Sequence, residues 1–206
     1  MKLNHSRVFI VCYILSMGLR ITLFYSTWGN LKHSTALRFG SAAVGLYKEG
    51  GLSFQQEELK QIKNIGNNYT GNYLQFYKKD NRQKLVEFLP GPPAMISLLW
   101  QLIPIYNSSP YILIQIILDS LLIATFYVAF LKHDKKIAFI CSVLMVFNLA
   151  AIKRTVMVGY DFWPQFCVLI NFIGLSHALS KERNSVALLV IGILTGLTLW
   201  FRSITV

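Results

Sequence analysis

Lys153-Arg154-Thr155-Val156-Met157-Val158-Gly159-Tyr160-Asp161-Phe162-Trp163-Pro164 is the stretch from which the rest of the chain is read, because it wedges three ionisable groups between two apolar runs. Residues 137–152 before it carry no charge, and 162–180 after it carry only His177. The three charges therefore stand where a membrane segment ends or turns, and an ionisable residue at such a depth is a functional-site candidate by default. The competing reading is interfacial anchoring, in which Lys153 and Arg154 snorkel to lipid headgroups while Tyr160 and Trp163 join the aromatic belt. Asp161 fits anchoring less well, since a short carboxylate cannot snorkel as lysine does and needs a partner.

Composition bounds the class. Of 206 residues 54% are apolar and only 14% charged, with a mean hydropathy of +0.47. This exceeds the apolar content of an ordinary soluble domain, about 45–50%, and predicts an all-α, polytopic integral membrane protein forming a single membrane domain over 1–206. The net charge of +11 does not point to nucleic acid, because the basic residues are spread over loops between apolar segments rather than gathered on one aromatic-laced face. Membrane lipids with anionic headgroups, or phosphate ligands, are the expected partners. Cys12, Cys141 and Cys167 all lie inside apolar runs without a CxxC pair, which argues against a disulfide framework and a zinc site and predicts core residues. No cofactor is implied with certainty, and nothing in the residues supports a divalent metal. The opening Met1-Lys2-Leu3-Asn4-His5-Ser6-Arg7 and the apolar run behind it resemble a signal peptide. No small-residue cleavage site follows and Arg20 interrupts the run, so a retained first helix is expected.

Taken in order, 8–27 is long enough to cross about 30 Å of hydrocarbon, and Lys2 and Arg7 place its start in the cytoplasm. From 28 to 89 the chain turns polar, predicting an extracytoplasmic loop with short interfacial helices at 35–48 and 54–64. Pro90-Gly91-Pro92-Pro93 then opens a helix over 93–105, Pro93 suiting a first turn where its missing N–H goes unused. That helix either lies in the outer interface, or dips into it, or crosses as a short tilted span. Residues 111–131 end at Lys132-His133-Asp134-Lys135-Lys136 and 164–180 end at Lys181-Glu182-Arg183. Both basic clusters should be cytoplasmic. They are so if 93–105 does not cross and the spans are about five: 8–27, 111–131, 137–157, 164–180 and 186–203, with 28–110 and 153–164 outside. Lys153, Arg154 and Arg202 then fall at outer ends against the sorting rule, which points to a phosphate ligand. Asp119, in the middle of the second span, must be paired or protonated. Its readings are a packing carboxyl bonded to Ser120 or Thr125, or a proton relay. Gly192-Ile193-Leu194-Thr195-Gly196 fits a small-xxx-small packing face.

In this arrangement the chain resembles the N-terminal part of the C-type glycosyltransferase superfamily, the polytopic enzymes that use polyprenyl-phosphate-linked sugars. It is most similar to the dolichyl-phosphate-mannose protein mannosyltransferase and aminoarabinose transferase group. Four pieces carry the resemblance: the long first outer loop; Leu89-Pro90-Gly91-Pro92-Pro93-Ala94-Met95-Ile96-Ser97-Leu98-Leu99-Trp100 in the place of a proline-led helix; Lys153 through Asp161 in the place of the second outer loop; and 192–202 in the place of a glycine-rich fifth span ending in a base. The resemblance implies a donor chemistry in which Asp161 stands near the reacting centre as the catalytic carboxylate and Arg202 contacts the donor phosphate; Lys153, Arg154 and Tyr160 are the further substrate-binding candidates.

Two departures from the family pattern stand out. The family's first-loop Asp, its general base, has no counterpart in Asn30-Leu31-Lys32-His33-Ser34-Thr35. His33 is either a substitute base, since imidazole titrates near neutral pH, or an ordinary loop residue. Family members also continue through several more helices, so the chain is expected to be a fragment of a longer protein. The expected function is transfer of a sugar from a polyprenyl-phosphate donor to a lipid, glycan or protein acceptor on the extracytoplasmic face. The alternatives are a non-catalytic relative or accessory membrane protein, and a small transporter using Asp119 and Asp161.

Overall fold

The computed structural model describes residues 5–27, 34–65, 71–84, 90–131, 134–156, 158, 162–180, 189, 192–193 and 196. Among these, eight helices and one short β ladder follow the order α1 (His5–Thr27), α2 (Ser34–Glu49), β1 (Ser53–Phe54), α3 (Gln56–Ile65), β2 (Gln83–Lys84), α4 (Gly91–Leu102), α5 (Ser109–Phe130), α6 (Lys135–Val146), α7 (Leu149–Thr155) and α8 (Phe162–Ser180). Helices α1 and α5, of 23 and 22 residues, rise about 33–35 Å at 1.5 Å per residue, enough to cross a bilayer core. Among the described residues two helices are thus long and apolar enough to span a membrane, or three if the bent pair α6–α7 is one span. Their outward faces are apolar as well: Ile14, Ile117, Leu121, Ile140 and Leu144 are all largely exposed. Such an exterior is costly in water and suits lipid tails, which are as apolar as leucine.

The helix expected over 137–157 as one continuous span is instead broken. Helix α6 stops at Phe147, and α7 begins after Asn148 at an angle of 55°. Asn148 is in extended conformation and its side chain accepts a hydrogen bond from the Ala151 N–H at 3.1 Å. That cap satisfies an orphan donor at the start of α7 and fixes the break, as asparagine does at helix N-termini. The fifth expected span, 186–203, lies outside the described residues save for positions 189, 192, 193 and 196.

The polar stretch after α1 folds into a lobe. Helix α2 packs on α3, on β1 and on α4, and β1 pairs antiparallel with β2 through Ser53–Lys84 and Phe54–Gln83. Gly45 lets α2 lie against the ladder, since a Cβ there would stand 2.5 Å from the Ser53 carbonyl oxygen. Helix α4, with Pro92 and Pro93 in its first turn, has 12 residues and reaches only about 18 Å, too short to cross. Its Trp100 is buried and donates from Nε1 to the Asn107 carbonyl at 2.8 Å. One continuous core runs from the lobe (Phe39, Val44, Ile62, Tyr73) through α4 (Ile96, Trp100) to α5 (Tyr111, Ile116) and α8 (Phe162, Trp163). The lobe is therefore seated on the helix ends. A separate core of Val8, Cys12, Ile123, Tyr127, Ala138 and Val146 closes the opposite end of α1, α5 and α6.

Candidate functional site

Two lone charges in apolar helices find each other. Arg20 on α1 is wholly buried and donates from Nε to Asp119 Oδ2 on α5 at 2.6 Å. Its Nη1 donates to Ser16 Oγ at 2.7 Å and to the Ser16 carbonyl at 3.2 Å. From α7, Thr155 Oγ1 donates to the same Asp119 oxygen at 2.8 Å. Asp119 is thus held by α1 and α7 together, not by Ser120 or Thr125 as its neighbourhood in sequence predicts. Ser120 Oγ has no hydrogen-bond partner, and Thr125 Oγ1 donates to the Leu121 carbonyl of its own helix at 2.8 Å. The reason is energetic: a carboxylate in hydrocarbon gains far more from a guanidinium than from a neighbouring hydroxyl.

Beside the pair lies a cavity of about 70 Å³, whose walls include Arg20, Asp119, Asn148, Arg154 and Gln165. Arg20 Nη2 is buried here without a hydrogen-bond partner. Arg154, in the last turn of α7, is exposed and lines the cavity, whereas the adjacent and equally exposed Lys153 does not. Of the residues expected in the site, the structure therefore puts Arg154 at the rim of the cavity beside the Arg20–Asp119 pair, and Lys153 outside it. His33, Tyr160, Asp161 and Arg202 lie outside the described residues. The segment containing Tyr160 and Asp161 is flanked by Val158 and Phe162, both buried, and the start of α8 is tied to α5 by Trp163 Nε1 donating to Tyr111 Oη at 2.7 Å.

Arg20 is the residue that sequence reading missed as a site component. It was legible as an interruption of the first apolar run. One unpaired cation and one unpaired anion in two otherwise apolar segments were the signal that they pair.

The lobe holds a second charge cluster. Glu58 on α3 is fully buried and forms an ion pair with Arg82 Nη1, while Ser41 Oγ donates to Glu58 Oε2. Arg82 also donates from Nε to Ser53 Oγ at 2.9 Å and from Nη2 to the Ser53 carbonyl at 3.0 Å. Tyr77 Oη donates to Glu49 Oε1 at 2.6 Å. That bond, with help from Arg82, draws the Glu49 carboxyl below its usual range, and the same bond pushes the Tyr77 phenol above its own against the opposing pull of Arg82. These bonds tie α2, α3 and the stretch before β2 together within the lobe. Among the described residues no group of three or more histidine, cysteine, aspartate or glutamate side chains is placed to hold a metal ion.

Fold and site together define the class: a helical membrane protein with a polar lobe seated on its spans and a buried Arg–Asp pair beside a small cationic cavity. Comparison with protein families, with curated proteins and with solved structures finds no match for the chain.

Proposed function

We propose that the protein is a membrane glycosyltransferase, or the N-terminal part of one, that moves a sugar from a polyprenyl-phosphate donor to a lipid, glycan or protein acceptor on the extracytoplasmic face. The observation that carries this reading is the position of Arg154, which lines a cationic cavity a few residues before Asp161 in sequence. In the reaction the acceptor oxygen bonds to the sugar's anomeric carbon as the bond from that carbon to the phosphate oxygen breaks. Asp161 orients the acceptor and takes its proton, with His33 the second candidate base. Arg154, Lys153 and Arg202, assisted by Tyr160, neutralise the departing polyprenyl phosphate. Stabilising the charge that develops on a leaving group and removing a proton are the two contributions such chemistry needs from a protein.

The second reading, a non-catalytic relative or accessory protein, is favoured by one observation. Glu49 and Glu58, two of the lobe's carboxylates, are both committed to structural bonds with Tyr77 and Arg82, so neither replaces the first-loop Asp that the family resemblance expects. The two readings separate in a transfer assay on membranes supplied with a labelled polyprenyl-phosphate sugar. Asp161→Asn keeps the shape and removes the charge, and transfer is expected to fall by about two orders of magnitude or more with expression unchanged. Near-normal transfer by that variant overturns the role of Asp161, and no transfer by the wild-type chain favours the second reading.

A further inference from the structure

We propose that the groove between α1 and α6 is a site for one anionic diacyl phospholipid, with an acyl chain laid along the groove and the phosphate held by basic residues at its mouth. Helices α1 and α5 run antiparallel, since Arg20 meets Asp119 and His5 Nδ1 lies 3.2 Å from Tyr127 Oη. Helix α6 starts at Lys135, soon after α5 ends at Phe130, and packs on both α1 and α5. It therefore runs parallel to α1, and Lys135 and Lys136 lie at the same end of the bundle as Arg7. Arg7 is the one charged residue that lines the groove, and no carboxylate among the described residues pairs with it. Lys135 and Lys136 stand one turn before Phe139, a groove residue on α6. The carboxylate next to them, Asp134, caps α6 by accepting from the Lys136 and Ile137 N–H groups at 2.7 and 3.1 Å. Three cations against one carboxylate leave the mouth net positive, which favours an anionic headgroup.

The groove itself holds about 300 Å³, between Val11 and Leu15 on α1 and Phe139, Val143 and Phe147 on α6. Its lining surface is apolar throughout, so Arg7 walls it with its methylene stem and keeps the guanidinium at the mouth, as arginine does at a membrane interface. Arg7 to Leu15 on one wall, and Phe139 to Phe147 on the other, each rise about 12 Å at about 1.5 Å per residue. That is close to half of a hydrocarbon core of about 30 Å, the depth of one leaflet. A partner's membrane-spanning helix would run the full thickness, whereas an acyl chain stops near the midplane. Val11, Leu15 and Phe147 are between 48% and 59% exposed, so the groove opens sideways and the lipid's second chain stays in the bilayer. Val8, Cys12 and Val146 line its buried floor and belong to the core that closes this end of the bundle. An occupant therefore braces α6 against α1. The site lies at the end away from the lobe, in the leaflet that positive-inside sorting predicts to be cytoplasmic, and it is independent of the transferase reading.

The test uses the full chain purified in detergent, with dioleoyl phosphatidylglycerol as the probe and native mass spectrometry as the readout. One phosphatidylglycerol per chain is expected to bind saturably, about tenfold or more tighter than dioleoyl phosphatidylcholine, which has the same chains and no net charge. Arg7→Gln should weaken it about fivefold, the worth of one basic residue beside an anionic headgroup, and the double variant Lys135→Gln/Lys136→Gln about 25-fold. All three positions are exposed, so these variants test binding without disturbing the core. Val11→Trp fills the groove from a side chain already half exposed and should weaken binding about tenfold with thermal unfolding unchanged. Leu15→Trp, further along the same wall, is the second probe of the groove. Millimolar inorganic phosphate should not displace the lipid. Equal binding of the two lipids, displacement by inorganic phosphate, or a chain dimer that Val11→Trp dissolves overturns the proposal. Loss in the charge variants with both tryptophan variants unchanged shows surface attraction alone, and overturns it as well.

Discussion

Arg20 and Asp119 stand 99 positions apart in sequence and meet inside the helix bundle, where neither charge is tolerable alone. A buried ion pair stabilises little relative to well-packed apolar groups, because desolvation offsets much of the Coulomb attraction, yet removing one partner strands the other. Arg20→Met alone, or Asp119→Leu alone, should therefore destabilise the protein by about 3–5 kcal/mol. The joint replacement should recover most of that loss. Thermal unfolding in detergent of the two single variants and the double variant measures the coupling. Additive losses would show that the two side chains act independently. Each residue was visible in sequence as a charge in an apolar run; their pairing was not, because Ser120 and Thr125 were nearer candidates along the helix and sequence distance says nothing about which helix faces which.

At the level of elements, the C-terminal turn of α2 is strapped to the stretch before β2 through Glu49, Tyr77 and Arg82, with Arg82 5.2 Å from the centre of the Tyr77 ring. The folded lobe holds the Glu49 carboxyl below its ordinary range, chiefly through the Tyr77 hydroxyl. A depressed carboxylate contributes stability above its unfolded pKa and loses it as pH falls through the folded one. The strap should thus hold at neutral pH and release as the pH falls below the ordinary carboxylate range. Tyr77 has the opposite sign, its raised pKa making its contribution full below the ordinary tyrosine value and lost in strong base. Hydrogen exchange of residues 46–54 and 77–84 should accelerate on acidification in the wild type, and Glu49→Gln should flatten that pH dependence. An unchanged slope in the variant would remove Glu49 as the titrating group. The elements themselves were largely legible: helices expected at 35–48, 54–64 and 93–105 occur at Ser34–Glu49, Gln56–Ile65 and Gly91–Leu102. The two-residue β ladder and the break at Asn148 were not, since the first depends on strands far apart in sequence and the second on one cap inside an apolar run that reads as continuous.

For the whole molecule, the lobe and the basic loops make orientation the property to measure. Lys135 and Lys136 follow α5 on the side of the molecule closed by the Val8–Tyr127 core, away from the lobe. Positive-inside sorting predicts Asp134 in the cytoplasm and the lobe outside. Reporter fusions at Asp134 and Glu182 are expected to read cytoplasmic, and fusions near Asn68 and Asn107 to read outside. A cytoplasmic signal at Asn107 would make α4 a crossing element and invert the arrangement. Such an arrangement would also move the groove between α1 and α6 to the other leaflet, so topology and lipid binding constrain each other.

Hydropathy, helix-breaking prolines and loop composition act over a few neighbouring positions, and they were sufficient for the membrane class, the apolar helices, the polar insertion after α1 and the proline-led α4. They also marked Lys153 and Arg154 as a basic pair at a helix end, though not that Arg154 and not Lys153 lines the cavity beside Asp119. Tertiary structure alone decided that Arg20 answers Asp119, that Thr155 donates to Asp119 from a third helix, and that Glu58 disappears under Arg82 in the lobe. Those are choices among partners separated by long stretches of chain, and they follow from the cost of leaving any buried charge or donor unpaired once the helices have packed.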